Sequence, residues 1–292
     1  MEISRRSPDN STPATLDAIQ FSARTQLRDV TLLFADLRES SRITTSLDSD
    51  RMFRLLAQVM DCLTAAVIEH NGLVIDYYGD GLAAMWNAPT DQPEHAELAC
   101  RAALRMLETI PEIATAWADS LEGDLRLGVG LHSGAVQVGN VGSRQRVKYG
   151  PRGPNVNLAS RVEAATKLIG LPLLVTGSVV AQLSSRLLTY RVCRAEFPGI
   201  RSPIDLFNIM TPSADAATRA AIAAYDKALK LFEQGDLDQA NDELRGINRD
   251  SAAVPAAFLA EQIEHATGTR KRRRSTDEST HSAAGVVKLR VK

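Results

Sequence analysis

The sequence is poor in cysteine, with only Cys62, Cys100 and Cys193 among 292 residues, and none of them lies in a CxxC or Cys/His pattern. An odd number of widely spaced cysteines argues against a disulfide framework and a structural zinc site, so we expect three reduced thiols in the core. No stretch reaches the ~18 consecutive apolar residues of a membrane-spanning helix, and the N-terminus has no apolar segment typical of a signal peptide. We therefore expect a cytoplasmic protein without a membrane span.

The chain also lacks an excess of charge of either sign, because its formal net charge is −1 at pH 7. Such a balance provides no long-range field that would gather nucleic acid or an anionic membrane surface, so we predict neither as a partner. Hydrophobic residues make up 44% of the chain and charged residues 24%, as in ordinary globular proteins. A substantial core is therefore expected.

Composition divides the chain into four segments. Residues 1–28 are polar and indicate an N-terminal extension. Residues 29–211 alternate between strand-like and helix-like patterns, which favours an α+β domain with helices packed on a mixed sheet. Residues 212–266 are rich in Ala, Leu, Glu and Lys and predict a helical hairpin, broken at Gly235-Asp236, that resembles one tetratricopeptide-like unit.

The fourth segment, residues 267–292, is predicted to be a basic flexible tail. Its five consecutive basic residues, 270–274, are of the kind that is usually solvated, and binding of an acidic partner or nucleic acid is the alternative. The last residues, 287–292, alternate like a short edge strand.

Within residues 29–211, the apolar run Val30–Ala35 predicts a buried strand that ends at Asp36. Apolar residues at spacings of three and four predict a helix over about 50–69. The run 73–87 reads as two strands that turn on Gly79-Asp80-Gly81. Farther along, the pattern predicts a helix from Pro93 toward Trp117, a strand over 124–132 with a hairpin partner over 135–138, an extended piece over 147–150, and a helix over 155–170.

Two carboxylates, Asp36 and Asp80, come at the ends of predicted neighbouring strands. Mg²⁺ in proteins is commonly held by one or two carboxylates together with substrate phosphates, so the two residues could form a cation site. The alternative for Asp80 is that it is present only because aspartate tolerates turns. The segment Arg38-Glu39-Ser40-Ser41 begins a helical turn whose backbone N–H groups could bind phosphate.

A second candidate pair, Asn157 and Arg161, is spaced i and i+4 on one predicted helix, so the two side chains share a face. The Gly- and Pro-rich loop 150–154 precedes this helix and would permit close approach of a ligand to the backbone. Such a pair could stabilise charge on a transferring phosphoryl group, whereas an isolated Arg on a helix is usually a solvated charge.

Three stretches, "VTLLFADLR", "GDGLAAMWNAP" and "YGPRGPNVNLASRVEAATK", resemble in order and separation the catalytic domain of class III nucleotidyl cyclases, the adenylate and guanylate cyclases. The resemblance covers about residues 29–211. It implies a ferredoxin-like α+β fold and a homodimer with active sites at the subunit interface. It also implies two Mg²⁺ or Mn²⁺ ions per site and a nucleoside triphosphate substrate.

Carried over by position, the resemblance makes Asp36 and Asp80 the metal-binding aspartates and the Leu37 carbonyl a backbone ligand. Asn157 would orient the ribose, and Arg161 would stabilise the transition state. The implied reaction is attack of the ribose 3′-oxygen on the α-phosphorus with release of pyrophosphate. Arg38, Ser40 and Ser41 are candidate phosphate-binding residues.

The chain departs from the family pattern at three positions. The base-reading position four residues before Asp80 holds Asp76, where many adenylate cyclases have lysine and guanylate cyclases have glutamate. The partner position is Gly150, which offers no side chain. Pro198 stands where a phosphate-binding lysine is usual, and Arg201 is a possible substitute. Asp76 suits guanine N1–H and its exocyclic amine better than adenine N1, or it is simply a strand residue that points into solvent.

The resemblance favours an adenylate cyclase that makes cyclic AMP in intracellular signalling. A guanylate cyclase is the alternative suggested by Asp76. A catalytically silent dimerisation or nucleotide-binding module is the alternative suggested by Pro198.

Overall fold

The computed structural model describes residues 25–38, 47–121, 123–143, 146–184, 187–247, 254–275, 285–289 and 291. The strands in these ranges form one mixed sheet with the order β2-β3-β1-β4-β6-β8-β7-β9, and β5 pairs with β4 outside this path. The α+β class is as predicted. The strands are β1 (Gln26–Leu37), β2 (Leu73–Tyr78), β3 (Gly81–Trp86), β4 (Leu127–Ser143), β5 (Arg146–Arg152), β6 (Leu173–Thr176), β7 (Leu188–Glu196), β8 (Ile204–Met210) and β9 (Val286–Lys288).

The described helices lie on both faces of the sheet. α1 and α2 pack against alternate residues of β1, among them Leu33 and Ala35, while Val30 and Leu32 belong to a cluster on the opposite side with Ala159. Alternation of this kind is expected for a central strand that is covered on both faces. The helices are α1 (Ser49–Glu69), α2 (His95–Ala116), α3 (Pro154–Ile169), α4 (Gly177–Val180), α5 (Ala216–Gln234), α6 (Leu237–Arg245) and α7 (Ala256–Ser275).

The predicted end of the first strand at Asp36 is wrong by one residue. β1 pairs with β4 as far as Leu37, which lies opposite Leu127, so Asp36 belongs to the strand. On its other side β1 pairs with β3, where Asp36 lies opposite Gly81. The sheet ladder, rather than the apolar run alone, therefore sets the boundary.

The predicted hairpin between 124–132 and 135–138 is also wrong, because β4 is one continuous strand of 17 residues. Ser133 and Gly134, which resemble a turn in sequence, pair with Thr31 and Val30 of β1. The Thr31 and Ser133 hydroxyls are 2.7 Å apart and share a hydrogen bond. β4 forms its hairpin with β5 instead. β5 spans residues 146–152 and includes the extended piece predicted over 147–150.

Helix α3 lies unusually close to β4. A Cβ placed on Gly130 would be 2.1 Å from the backbone nitrogen of Glu163, so any side chain larger than hydrogen would displace the helix. α3 begins with Pro154 in its first turn and ends at Gly170, which has a left-handed backbone. Both features are common helix termini, and they agree with the helix predicted over 155–170.

The break predicted at Gly235-Asp236 is present between α5 and α6, but the segment 212–266 contains the start of a third helix, α7, so the prediction of two helices is wrong. α7 extends to Ser275, so the basic run 270–274, predicted to be part of a flexible tail, lies at its end. The Tyr225 hydroxyl donates a hydrogen bond of 2.8 Å to the Val192 carbonyl and ties α5 to β7. The terminal strand predicted over 287–292 is confirmed only in part, because β9 spans Val286–Lys288 and residues 289 and 291 lie outside it. β9 runs parallel to β7 at the sheet edge. None of the helices in the described ranges has the combined length and apolarity needed to cross a bilayer.

Candidate active site

Asp36 and Asp80 lie at the same end of the sheet. Asp36 is in β1 opposite Gly81, and Asp80 is in the turn between β2 and β3, directly before Gly81. A Cβ on Gly81 would lie 2.7 Å from Asp36 Oδ1 and 2.8 Å from the Ala35 carbonyl oxygen. Glycine at 81 therefore makes room for the Asp36 carboxylate next to the turn that holds Asp80.

The negative charges of Asp36 and Asp80 act on one another in this site. Burial, followed by the negative charge of Asp80, raises the pKa of Asp36 to about 6, although Arg38 and Lys167 oppose this shift. Asp80 Oδ2 is buried, and no group in the described residues is hydrogen-bonded to it. A buried carboxylate oxygen without a partner is energetically unfavourable unless a cation occupies the site.

The oxygen atoms present fit a hard divalent cation such as Mg²⁺ or Mn²⁺. Asp36 and Asp80 supply carboxylates, and Leu37, which follows Asp36 at the end of β1, has the backbone carbonyl proposed as a further ligand. The part of the chain that the structure describes contains no group of three or more His, Cys, Asp or Glu that could hold a metal ion. Two carboxylates supplemented by other oxygen atoms is the usual magnesium arrangement in phosphate-handling sites.

Glu163 belongs to this site but was not predicted from the sequence. Its Oε1 lies 3.3 Å from Arg38 Nη2, and the two side chains are only 12% and 14% exposed. Burial raises the pKa of Glu163 to about 7; Arg38 lowers it, and Asp36 and Asp80 raise it further. The sequence holds one indication of this role: Glu163 is spaced four residues after Ala159 and three before Thr166, so it shares a helix face with these two buried residues.

Arg38, a predicted phosphate-binding residue, has its guanidinium directed at α3 in this structure. Besides the ion pair with Glu163, Arg38 Nη2 donates to the Glu163 carbonyl oxygen at 3.4 Å. The backbone N–H of Arg38 donates to the Arg126 carbonyl at 2.7 Å, which fixes the chain directly after β1. Ser40 and Ser41, the other two phosphate candidates near this strand, lie outside the described residues.

Asn157 and Arg161 share one face of α3, as their spacing predicted. Asn157 is exposed, and Arg161 is half-buried because its Nη1 donates a hydrogen bond to the Pro198 carbonyl in the loop between β7 and β8. The opposite face of α3 is buried against the sheet and fixes the orientation of the pair. Arg201, in the same β7–β8 loop as Pro198, is exposed.

The structure brings β2, which bears Asp76, next to β5, which bears Gly150. β2 has a bulge between Val74 and Asp76, and the Cγ2 of the intervening Ile75 lies 3.4 Å from the position that a Cβ on Gly150 would occupy. Bulges redirect neighbouring side chains and are frequent beside active sites. One oxygen of Asp76 accepts a hydrogen bond from the Tyr77 backbone N–H at 3.1 Å, and the other pairs with the ammonium group of Lys148. Lys148 was not singled out in the sequence.

The comparisons with known proteins agree with this geometry. A family model described as the adenylate and guanylate cyclase catalytic domain matches residues 23–201. Adenylate cyclase 1 of Rhizobium meliloti is 31% identical over 196 residues, which are 67% of this chain and 30% of that protein. An adenylate cyclase of Anabaena cylindrica is 31% identical over 173 residues, 59% of this chain and 34% of the relative. The matched region thus spans about a third of each relative's length.

Solved structures resemble the sheet and its helices. The adenylyl cyclase CyaB from P. aeruginosa superposes with a TM-score of 0.61 at 21% identity, covering 66% of this chain and 98% of that one. The guanylyl cyclase Cya2 superposes with a TM-score of 0.58 at 24% identity, covering 66% of this chain and 97% of that one. At these identities the similarity establishes the fold.

Proposed function

Because the chain belongs to the adenylate and guanylate cyclase catalytic domain family, we propose that it converts ATP to 3′,5′-cyclic AMP and pyrophosphate. The observation that carries the proposal is the pair Asp36 and Asp80, with a buried Asp80 oxygen that has no hydrogen-bond partner in the described residues. This arrangement suits divalent cations bound together with a triphosphate.

Asp36, Asp80 and the Leu37 carbonyl would hold the cations. When bound there, Mg²⁺ or Mn²⁺ would supply Lewis-acid chemistry, lowering the pKa of the ribose 3′-hydroxyl and neutralising the triphosphate. The ribose 3′-hydroxyl gives up its proton to solvent water, and its oxygen forms a bond to the α-phosphorus. The bond from that phosphorus to the bridging oxygen breaks, and pyrophosphate leaves. The ion pair of Arg38 with Glu163 keeps the backbone after Asp36 in place.

The pair Asn157 and Arg161 on α3 is proposed to act on the nucleotide from the other subunit of a homodimer. Asn157 would hold the ribose so that its 3′-oxygen faces the phosphorus. Arg161 would place its guanidinium against the charge that develops on the phosphoryl oxygens. Its hydrogen bond to the Pro198 carbonyl supports this role, since it holds the long side chain in one orientation. Arg201 is proposed to bind phosphate in place of the lysine that Pro198 replaces.

ATP is the preferred substrate in this proposal because both curated relatives described above are adenylate cyclases by name. GTP is the second candidate, and Asp76 favours it. A carboxylate accepts hydrogen bonds from guanine N1–H and from its exocyclic amine, whereas adenine N1 is itself an acceptor. The product in either case would be a 3′,5′-cyclic nucleotide for intracellular signalling.

The test is incubation of the purified protein with ATP or GTP, each with Mg²⁺ and with Mn²⁺, followed by mass detection of cyclic product. Asp80→Asn should abolish product, since it removes a ligand charge with almost no change in shape. Asp242→Asn is the matched control because Asp242 is an exposed aspartate on α6. Absence of product from folded, dimeric protein with both nucleotides would refute the enzyme and leave a nucleotide-binding or dimerisation module.

A further inference from the structure

We propose that Lys148 is a specificity-determining residue, which reads the purine base together with Asp76 and replaces the side chain that Gly150 lacks. The inference rests on the proposed function, because it assigns a residue to the base pocket of that site. The juxtaposition that carries it is the ion pair between Lys148 on β5 and Asp76 on β2.

Strand geometry places Lys148 and position 150 on one face. β5 pairs with β4 without a break in register, with Lys148 opposite Val141 and Gly150 opposite Gly139. Side chains two residues apart in such a strand point to the same side. The long side chain at 148 therefore reaches Asp76 from the strand face that a side chain at 150 would share.

Both members of the pair remain accessible to a ligand. The Lys148 side chain is 45% exposed and the Asp76 side chain 35% exposed. Asp76 is held by the Tyr77 backbone N–H through one oxygen and by Lys148 through the other, so its carboxylate is fixed in orientation. Ion pairs this exposed add little to stability, which makes a purely structural role a weak explanation for the arrangement.

Together the two side chains present one donor and one acceptor group, which suits the Watson–Crick edge of a purine. With adenine, the carboxylate accepts from the 6-amino group and the ammonium donates to N1. With guanine, the carboxylate accepts from N1–H and the 2-amino group, and the ammonium donates to O6. Lys148 thus supplies the donor to adenine N1 that Asp76 alone cannot provide.

The experiment measures base discrimination by binding and by turnover. Binding is measured by calorimetry with 3′-deoxy-ATP and 3′-deoxy-GTP in Mn²⁺, which lack the attacking hydroxyl, and turnover is measured as kcat and KM for ATP and GTP. The variants are Lys148→Met, Lys148→Arg, Asp76→Asn and the double variant Lys148→Met/Asp76→Asn. Lys230→Met is the matched control, because Lys230 forms a similar exposed ion pair with Asp226 on α5.

We expect Lys148→Met to weaken binding of 3′-deoxy-ATP about tenfold, the loss typical of a hydrogen bond to a charged group. Binding of 3′-deoxy-GTP should weaken less, because Asp76 still accepts from guanine N1–H and the 2-amino group. The ratio of the affinities for 3′-deoxy-ATP and 3′-deoxy-GTP should fall toward one. The ratio of kcat/KM for ATP and GTP should fall in the same way, mainly through a change in KM. Lys148→Arg should retain the preference because it keeps the charged donor. The double variant should lose little more affinity for the 3′-deoxy nucleotides than the worse single variant does, since the two residues act as one unit.

The outcomes separate this inference from the cyclase proposal. If Lys148→Met leaves the ratio between the bases unchanged, or weakens both equally with a lower melting temperature, Lys148 is structural and the inference fails. If the wild type binds both 3′-deoxy nucleotides equally or binds neither, the inference also fails. Discrimination in binding that depends on Lys148, without any cyclic product, would support the base reader and refute the enzyme.

Discussion

Asp36 carries an electrostatic penalty in the metal-free protein. Its pKa is raised from 3.8 to about 6 in the fold, so the folded state binds the proton more tightly than the unfolded chain. The stability that this group contributes is present below about pH 4 and is lost as the pH rises through about 6. At neutral pH the ionised carboxylate therefore opposes folding.

Asp36→Asn should increase the free energy of unfolding at pH 7 by about 1–2 kcal/mol after allowance for solvent screening. The substitution removes a charge that is both desolvated and close to Asp80, and it should at the same time abolish cation binding. Urea unfolding in EDTA at pH 7 and at stepwise lower pH measures the difference in free energy of unfolding between the variant and the wild type. That difference should decrease steadily from pH 6 toward pH 4. A difference that does not change with pH would show that the charge on Asp36 is not its cause.

Cation affinity should depend on the protonation of the same carboxylate. Because a cation binds the ionised form, the affinity of the nucleotide-free protein for Mn²⁺ should fall by about tenfold per pH unit below about pH 6. Calorimetric titration with Mn²⁺ between pH 5 and pH 8 measures this dependence. Affinity that stays constant below pH 6 would show that Asp36 does not bind the cation.

At the residue scale, the sequence predicts a cation site at Asp36 and Asp80 but does not single out Glu163 or Lys148. Asp36 and Asp80 stand out because carboxylates at strand ends carry a recognisable pattern. Glu163 lies in a helix where glutamate is an ordinary surface residue, and only the packing of α3 on β4 shows that it is buried beside Arg38. Lys148 becomes notable only when β2 and β5 come together, since the two strands are far apart in sequence.

At the scale of elements, the close contact of α3 and β4 positions the helix face that bears Asn157 and Arg161. Gly130→Ala should destabilise the protein by about 2–3 kcal/mol, because the added methyl group would overlap the Glu163 backbone nitrogen. The shift of α3 should also lower kcat, with a smaller effect on KM. Urea unfolding measures the loss of stability, and steady-state kinetics measures kcat and KM.

Gly268→Ala provides the control for that substitution. A Cβ at Gly268 in α7 meets nothing within 4 Å, so alanine should be neutral there or stabilise by up to about 1 kcal/mol. If the two substitutions change the free energy of unfolding equally, β4 and α3 have room to separate, contrary to the geometry.

Elements with strong periodicity were predicted well, and those defined by pairing were not. α1 agrees with its predicted range within one residue because its apolar positions recur every three or four residues. The break predicted near Ser133-Gly134 is absent because β1 pairs across it, and tertiary hydrogen bonds outweigh the local turn preference of serine and glycine. Local sequence does not contain that information.

At the scale of the whole molecule, the C-terminal strand closes the sheet edge formed by β7. Val286 and Val287 of β9 pair with Arg194 and Ala195, and Val287 and Leu289 are each 3% exposed. Truncation after residue 284 should lower the free energy of unfolding by about 2–4 kcal/mol, chiefly because these apolar side chains leave the core. Urea unfolding measures the loss.

The same truncation should leave Mn²⁺ affinity at pH 7 unchanged, since Asp36 on β1 and Asp80 in the turn between β2 and β3 lie toward the other end of the sheet order. A truncated protein that unfolds like the full chain would show that β9 contributes no stability. Loss of Mn²⁺ binding in a folded truncated protein would show that the sheet edge and the cation site are coupled.

The position of β9 also has a consequence for biosynthesis. A ribosome delivers β7 well before it delivers β9, so the partner that covers β7 on that side is made only after α5, α6 and α7. Until then, the backbone groups of β7 that later pair with β9 present an open strand edge, which is the feature through which nascent chains pair with one another. The sheet is therefore complete only after residue 288 has been translated.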